Sequence, residues 1–323
     1  MYPFKFKPIF KTLIWGGEKI APYKGVQTDQ HQIGESWELS GVKGSESVVS
    51  EGEYAGVALP DLVAQLKGEL VGQHNFDRFG TEFPLLVKFI DARQDLSIQV
   101  HPNDALSEKR HHKKGKTEMW YVIAADQGAH LRSGLSRQMT PDEYEQSVEQ
   151  GTITDYLHDY QIHAGELFFL PAGRIHSIGA GAFIAEIQQT SDVTYRIFDF
   201  NRVGADGKCR ELHTQLAKDA IDYTVLPDYR SHYQMEKNRA VMLASCPYFT
   251  TQLYDVDQPL TIDLSTQDSF LLLVCIEGSG AIVNSENQRV TIRQGETVLV
   301  PASERNITIE PDQQIKLITS CCL

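Results

Sequence analysis

The sequence predicts a mainly β protein, in which a β-barrel is followed by a smaller β-unit of related sequence and a few helices lie at the periphery. Three observations support this fold class. Short apolar runs separated by turn residues dominate the chain, helical patterns are few, and one strand–turn–strand pattern occurs twice. Many short strands with few helices are typical of β-sandwiches and barrels.

The strands are predicted from short apolar runs bounded by Gly, Pro, Asn or Asp. These runs include FPLLVKFI, LSIQVH, EMWYVIA, ELFFLPA, AFIAEIQ, VTYRIFDF, SFLLLVCI and ETVLVPA. Three segments carry helical signals, namely residues 58–70, 140–151 and 212–223. The second has a Thr cap, a Pro at the first helical position and a final Gly. Residues 111–114, HHKK, are expected to form a solvated loop.

The repeated pattern relates residues 163–178 to residues 293–309. A Gly-Glu pair and a Pro-Ala pair recur at an offset of 130 residues, which aligns His176 with Asn306. Upstream, a weaker match at an offset of 152 aligns Glu118 with Phe270. The second copy therefore keeps the turn residues and loses the polar ones, so we expect His176 and Glu118 to serve function rather than the fold.

The repeat also divides the chain. We expect a first domain over residues 1–235, which carries the polar residues, and a degenerate copy of it over residues 236–323.

Composition limits the class of partner. The hydrophobic fraction of 41% is ordinary for a globular protein, and the formal net charge of −13 argues against a nucleic-acid partner. No apolar run is long enough to suggest a membrane span. Five cysteines, without paired spacing, fit neither a disulfide framework nor a cysteine zinc site. We therefore expect a reduced, cytoplasmic protein.

The stretch LSIQVHP alternates aliphatic and polar residues. In a strand, Ser97, Gln99 and His101 would share one face, because successive side chains point to opposite faces. A polar face in contact with water is the ordinary interpretation of such a pattern. The alternative is that the amide and the imidazole point into one cavity as ligands.

A second motif favours the ligand interpretation. The spacing of Gly165, Pro171, Gly173 and His176 resembles the second motif of the cupin family, whose jelly-roll barrels hold a metal ion. The first cupin motif has a His-x-His pair followed by Glu, and here the pair is replaced by Gln99 and His101.

The Glu of the first motif would be Glu118, on a predicted strand with Lys116 and Trp120 on the same face. Two imidazoles, a carboxylate and an amide oxygen fit zinc best, and manganese or iron(II) would also be acceptable.

Six motifs together resemble the class I mannose-6-phosphate isomerases, in particular their short bacterial form. They are TLIWGG, GESWELS, LSIQVHP, K-x-E-x-W-Y, PAGRIHSIGAG and SDVTYRIFDFNR, and they extend over nearly the whole chain. Longer members of the family insert a helical domain, for which residues 58–80 are too few.

The resemblance implies one zinc ion per chain, with the ligands Gln99, His101, Glu118 and His176. It implies active-site roles for three further residues, Arg196, Lys116 and Glu186. It also implies that Ser97, and less strongly Lys88, lie beside the substrate phosphate. Trp15 and Glu38 are expected near the mouth of the site.

The implied reaction is the interconversion of D-mannose 6-phosphate and D-fructose 6-phosphate through an enediol. The base is left open between Lys116, Glu186 and a zinc-bound water. Three alternatives remain at this stage: a cupin dioxygenase, a non-catalytic module that binds sugar phosphates, and an isomerase of another phosphosugar. The oligomeric state cannot be predicted from the sequence.

Overall fold

The computed structural model describes residues 1–204 and 207–322 and confirms the mainly β fold. The strands, numbered along the chain, are β1 (Phe4–Lys5), β2 (Ile9–Gly17), β3 (Ile33–Leu39), β4 (Leu85–Asp91), β5 (Ile98–Val100), β6 (Glu118–Ala125), β7 (His130–Leu135), β8 (Leu157–Gln161), β9 (Leu167–Leu170), β10 (His176–Ile178), β11 (Ala182–Gln189), β12 (Tyr195–Phe198), β13 (Arg230–Ser231), β14 (Val241–Ser245), β15 (Thr250–Val256), β16 (Leu260–Asp263), β17 (Leu271–Asn284), β18 (Arg289–Arg293), β19 (Thr297–Val300) and β20 (Asn306–Cys321).

The helices are α1 (Ile20–Lys24), α2 (Leu59–Leu66), α3 (Gly68–Val71), α4 (Gln73–Phe79), α5 (Asp104–His111), α6 (Pro141–Glu149) and α7 (Thr214–Ala220), with a short 3-10 turn at Ile153–Tyr156. No helix among the described residues is long and apolar enough to cross a membrane.

Two antiparallel sheets face each other in the first part of the chain. One has seven strands in the order β13-β9-β6-β11-β4-β3-β2, and the other has five in the order β12-β5-β10-β7-β8. An apolar core lies between them, with Ile90 and Val122 contributed by the first sheet and Leu131 and Ile178 by the second. The space between these two sheets also holds the polar residues described below.

The five-stranded sheet is covered on its outer face by helices α6 and α7. Val100 of β5 belongs to one apolar cluster with Tyr144 of α6 and Ala217 of α7. Helix α6 begins with a complete capping box, in which the Thr140 hydroxyl accepts from the Glu143 backbone N–H and the Glu143 carboxylate accepts from that of Thr140. The sequence predicted this helix correctly.

The seven-stranded sheet is buried on both faces. Its second face packs Phe89 and Ile187 against Leu272 and Ile318 of a third sheet, which has eight strands. Strands β4 and β11 are consequently buried at every residue. This double burial explains why apolar residues occur on both faces of these strands rather than on alternate positions, with Lys88 and Glu186 as charged exceptions that line the cavity described below.

The eight-stranded sheet wraps around an apolar core of its own, and it draws strands from both ends of the chain. Strand β1 pairs with β19, so the first residues of the chain belong to this sheet. The division of the chain at residues 235 and 236 stays a prediction.

The register of the sheets corrects one part of the internal alignment. Glu118 pairs with Leu170 in the seven-stranded sheet, and Leu271 pairs with Val300 in the eight-stranded one. Because Leu170 and Val300 are equivalent at the offset of 130, Glu118 corresponds to Leu271 and not to Phe270. The predicted offset was wrong by one residue.

The equivalence of His176 and Asn306 agrees with the turns that precede them. The Arg174 N–H donates to the Pro171 carbonyl, and the Glu304 N–H donates to the Pro301 carbonyl in the same way. The second β-unit therefore has the same turn without the imidazole.

One helical prediction and one loop prediction need correction. Residues 58–70 form two short helices, α2 and α3, because Lys67 has a positive φ of 49° and interrupts them. The segment predicted as a loop at 111–114 begins inside helix α5, whose last residue is His111. Asn103 caps this helix by accepting from the Leu106 N–H, a signal that the sequence analysis did not use.

Candidate metal centre and active site

Three strands of the two facing sheets bring the predicted metal ligands together. Gln99 of β5 lies directly opposite His176 of β10, and His101 follows the end of β5. Glu118 is the first residue of β6 in the facing sheet. His101, Glu118 and His176 each present a ligand atom within 4.8 Å of the others, and all three are buried.

Backbone carbonyls fix the protonation of both imidazoles. Nδ1 of His101 lies 3.0 Å from the Val193 oxygen, and Nδ1 of His176 lies 2.8 Å from the Arg174 oxygen. A carbonyl only accepts, so each Nδ1 carries the hydrogen and each Nε2 keeps its lone pair. Burial, with the charge of Lys116, lowers the pKa of His101 well below its usual value, and burial lowers the pKa of His176 to about 3.

Both Nε2 lone pairs face the carboxylate of Glu118. The distances are 3.5 Å from His101 Nε2 to Oε2 and 3.2 Å from His176 Nε2 to Oε1. Among the described residues, His101 Nε2 and Glu118 Oε1 are buried without a hydrogen-bond partner. Buried polar atoms are costly unless they are satisfied, and these atoms are all electron-pair donors. A cation between them fits this donor set.

The side chain of Gln99 completes the set. Its amide nitrogen lies 3.3 Å from His176 Nε2. A half-turn of the amide would exchange nitrogen and oxygen at that position, which is the usual ambiguity of such a group. An amide oxygen would then face the same space as the two imidazoles and the carboxylate.

A cavity of about 450 Å³ lies beside this group, and Gln99 is the candidate ligand that lines it. Gln99, Lys116, Glu186 and Arg196 line it. Its described lining contains five cationic side chains (Lys11, Lys88, Lys116, Arg196 and Arg210) and three acidic ones (Glu35, Glu186 and Asp192). The cavity is thus locally cationic in a chain of net charge −13. Such a surface favours an anionic ligand.

A larger cavity of about 690 Å³ lies beside it and shares Ser191 and Asp192. None of the candidate metal ligands lines this larger cavity, so the smaller cavity is the candidate active site.

Lys88 and Glu186 form a buried ion pair in the wall of the cavity. Glu186 is the register partner of both Lys88 and Trp120, its neighbours on β4 and β6. Lys88 Nζ lies 3.0 Å from Oε1, and the Trp120 indole N–H donates to Oε2 at 2.8 Å. Burial alone would raise the pKa of Glu186, but the charges of Lys88 and Lys116 lower it to about 2. Glu186 is therefore ionised and already engaged.

Lys116 lies between this pair and the candidate metal ligands. Its Nζ is 3.1 Å from Glu118 Oε2, and the side chain is 7% exposed. Burial raises the pKa of Glu118 to about 7, although the charge of Lys116 acts in the opposite direction. Lys116 and Glu118 therefore share one face, as the alternation of the sequence predicted.

Arg196 enters from the edge strand β12. It pairs with Gln99 in the register, and its Nη1 donates to the Glu211 carbonyl at 3.0 Å. Its Nε is buried without an acceptor among the described residues. The guanidinium can therefore still bind an anion.

Ser97 also lines the cavity, and so does Trp15. Glu38 does not: it lies on the other face of β3, where it forms a buried ion pair with Lys24 at 2.7 Å. The expectation that Glu38 lies near the mouth of the site was wrong.

Several lining residues were not singled out from the sequence, among them Lys11, Glu35, Trp37, Asp192, Thr194 and Arg210. Glu35 and Trp37 lie inside GESWELS, and their alternation on β3 was the one signal that could have found them.

Comparisons with known proteins show the family of this chain. A family model described as the catalytic domain of type I phosphomannose isomerase matches residues 3–154, and one described as the mannose-6-phosphate isomerase cupin domain matches residues 239–322. The mannose-6-phosphate isomerase ManA of Bacillus subtilis (strain 168) is 35% identical over 302 residues, which cover 93% of each chain. This chain belongs to the mannose-6-phosphate isomerase family. The family resemblance predicted from the sequence is thereby confirmed.

Two further relatives extend the match. The mannose-6-phosphate isomerase of Streptococcus mutans serotype c is 32% identical over 94% of this chain and 93% of its own length. A crystal structure of the mannose 6-phosphate isomerase from Bacillus subtilis superimposes with a TM-score of 0.87 at 28% identity, over 99% of both chains. The cupin fold class and the assignment as an isomerase family enzyme are confirmed, and a cytoplasmic location stays a prediction.

Proposed function

We propose that this enzyme interconverts D-mannose 6-phosphate and D-fructose 6-phosphate through an enediol, with one zinc ion held by Gln99, His101, Glu118 and His176. Membership of the family supports the reaction. The observation that carries the proposal is the buried set of unprotonated donors beside a cationic cavity. A phosphosugar is an anion of a size that such a cavity can accept.

Zinc suits the donor set because nitrogen and oxygen ligands are its usual ones. Glu118 is the only anionic ligand, so a divalent ion there would keep a net positive charge. When bound, the ion supplies a positive centre that stabilises negative charge developing on substrate oxygens.

The proton transfer is best assigned to Lys116. The isomerisation moves a proton between two adjacent carbons, which requires a base that can also return it. Glu186 is a poor candidate, because its carboxylate is engaged by Lys88 and Trp120 and its pKa is lowered to about 2. Lys116 lines the cavity, and its one acidic partner among the described ion pairs is Glu118, a proposed metal ligand. A bound cation would take up the charge of Glu118 and would disfavour the protonated amine, which would leave Lys116 able to accept and return a proton.

The remaining roles follow from charge. Arg196 is a cation with a free Nε, suited to the enediolate or to the phosphate. Ser97 lines the same cavity and can donate its hydroxyl to a phosphate oxygen. Lys88 pairs with Glu186 and keeps its carboxylate ionised. Lys88 would therefore shape the cavity wall as well as attract the substrate phosphate.

The test is a coupled assay with mannose 6-phosphate, together with metal analysis. Wild-type protein stripped by a chelator should lose activity and regain it with zinc. H176A should lose both zinc and turnover. R196A should keep zinc and lose turnover by about a thousandfold, a loss typical of removing a group that stabilises developing charge. Binding of mannose 6-phosphate without turnover by the zinc-loaded wild type would contradict the proposal.

A further inference from the structure

The active-site arginine is held by a histidine that lies outside the cavity lining. We propose that His213 is a positioning residue for Arg196, acting through the Arg196 backbone. The proposal rests on the function proposed above, because it concerns an arginine to which that function assigns a role in turnover.

The need for such a residue follows from the position of β12. This strand is at the edge of the five-stranded sheet, where β5 is its one partner among the described strands. One side of an edge strand has N–H and C=O groups without a partner strand, so a single ladder has to hold the strand in place unless other groups bond to that side. The register is already irregular between Arg196 and Phe198. The ladder with β5 alone therefore constrains Arg196 weakly.

His213 bonds to both backbone groups of Arg196 that point away from β5. The Arg196 N–H donates to Nδ1 of the His213 ring at 2.9 Å, and the His213 N–H donates to the Arg196 carbonyl at 2.7 Å. One residue thus replaces the missing neighbouring strand, using its ring as acceptor and its backbone as donor. A carbonyl two residues earlier, that of Glu211, accepts from the guanidinium itself at 3.0 Å.

These bonds determine where the guanidinium points. Since both backbone groups of Arg196 bond to His213, the Arg196–Gln99 pair is of the non-hydrogen-bonded type, in which facing side chains are closest. The arginine side chain is thereby directed beside Gln99, whose amide is 3.3 Å from the ring of His176. A shift of β12 would carry the guanidinium away from the candidate metal ligands.

Helix α7 holds His213 in turn. His213 is the N-cap residue of this helix, and its carbonyl accepts from the Ala217 N–H at 2.9 Å. The side chain makes no capping bond to the helix. Its ring nitrogen serves Arg196 instead, which gives up a helix cap that Ser, Thr or Asp would supply at this position.

The acceptor at Nδ1 requires the neutral ring with its hydrogen on Nε2. Burial and the charge of Arg196 lower the pKa of His213, which keeps that form at neutral pH. Asparagine can supply a similar acceptor through its side-chain oxygen, whereas alanine and phenylalanine cannot.

The experiment compares H213A, H213N and R196A, alone and combined, in the zinc-loaded enzyme. H213A should lower kcat by about 10- to 100-fold with little change in KM, since small misplacements of a reacting group cost this much. H213N should recover most of the loss. R196A/H213A should have the activity of R196A alone, because His213 acts only through Arg196.

His111 offers a matched control. Its ring lies 2.8 Å from the hydroxyl of Tyr195, the neighbouring residue on β12, and no hydrogen bond of the described residues joins it to Arg196. H111A should stay within about threefold of wild type. If H213A folds poorly, H213F replaces it, since phenylalanine fills the ring volume without an acceptor.

The outcomes separate the two proposals. Normal turnover by H213A or H213F, with R196A impaired, would overturn the role of His213 and leave the proposed function standing. Additive losses in R196A/H213A, or a loss that H213N does not restore, would also overturn it. Normal turnover by R196A would overturn the role of Arg196 in turnover, and with it the role of His213, while the proposed reaction would stand.

Discussion

Replacing Lys88 with methionine tests whether the buried pair in the cavity wall stabilises the protein. The side chains of Lys88 and Glu186 are 8% and 3% exposed, and their charges lie 3.0 Å apart. At an effective dielectric constant of about 20, two unit charges at this distance attract by about 5 kcal/mol. Methionine keeps the length of the side chain and removes the cation nearest to the buried Glu186.

The pKa of Glu186 reflects all of its surroundings, in which Lys88 is the largest stabilising contributor and Lys116 and Trp120 add to it. It is lowered from 4.5 to about 2, and this shift corresponds to about 3 kcal/mol of stability. Because the folded value lies below the unfolded one, this stability is present above pH 4.5 and is lost as the pH falls towards 2. We therefore expect K88M to lower the free energy of unfolding by about 3–5 kcal/mol at pH 7, as for other broken buried pairs.

The assay is urea unfolding of metal-free wild type, K88M and K113M at pH 7 and pH 5. Lys113 and Asp192 form a shorter pair of 2.6 Å, but both side chains are about half exposed. K113M should therefore cost less than about 1 kcal/mol. The difference in the free energy of unfolding between wild type and K88M should be smaller at pH 5 than at pH 7, because Glu186 in K88M takes up a proton as the pH falls. The reasoning would be refuted if K88M and K113M lost equal free energies of unfolding. It would also be refuted if the difference between wild type and K88M did not change with pH.

Two other predictions concern the metal ligands and the helix over the five-stranded sheet. Zinc affinity should fall about tenfold per pH unit below pH 7. The pKa of Glu118 without metal is about 7, so a proton competes with the ion for this carboxylate below that pH. The histidines are already neutral and release no proton when the ion binds. Titration against a fluorescent chelator measures the zinc affinity. An affinity that does not change between pH 5.5 and pH 7 would contradict this prediction. T140A should destabilise the protein by about 1 kcal/mol through loss of the α6 capping box, whereas T140S should be nearly neutral in the same urea titration.

Local patterns in the sequence, together with the resemblance to the cupin motifs, singled out the candidate metal ligands. Alternation over LSIQVHP put Gln99 and His101 on one face, and the Gly-Pro turn before His176 aimed a second histidine at the same interior. Each of these signals is local, because it depends on the period of a strand or on the geometry of one turn. The structure brings these residues together with Glu118.

Contacts between distant segments could not be predicted in the same way. The pairing of Lys88 with Glu186 depends on the register of β4 against β11, which no local pattern specifies. His213 was included in a predicted helix, and its contact with Arg196 arises only because that helix packs on an edge strand. The one-residue error at Phe270 has a related cause, since apolar strands of similar composition align almost equally well in neighbouring registers.

The most direct test of the account is anomalous diffraction at the zinc edge from crystals of the metal-loaded enzyme. We predict a single strong peak per chain, at about 2.0–2.2 Å from Nε2 of His101, Nε2 of His176 and a carboxylate oxygen of Glu118. The Gln99 side chain should turn its oxygen towards the peak. A peak elsewhere in the chain, or none between these residues in protein that is active, would contradict the central claim.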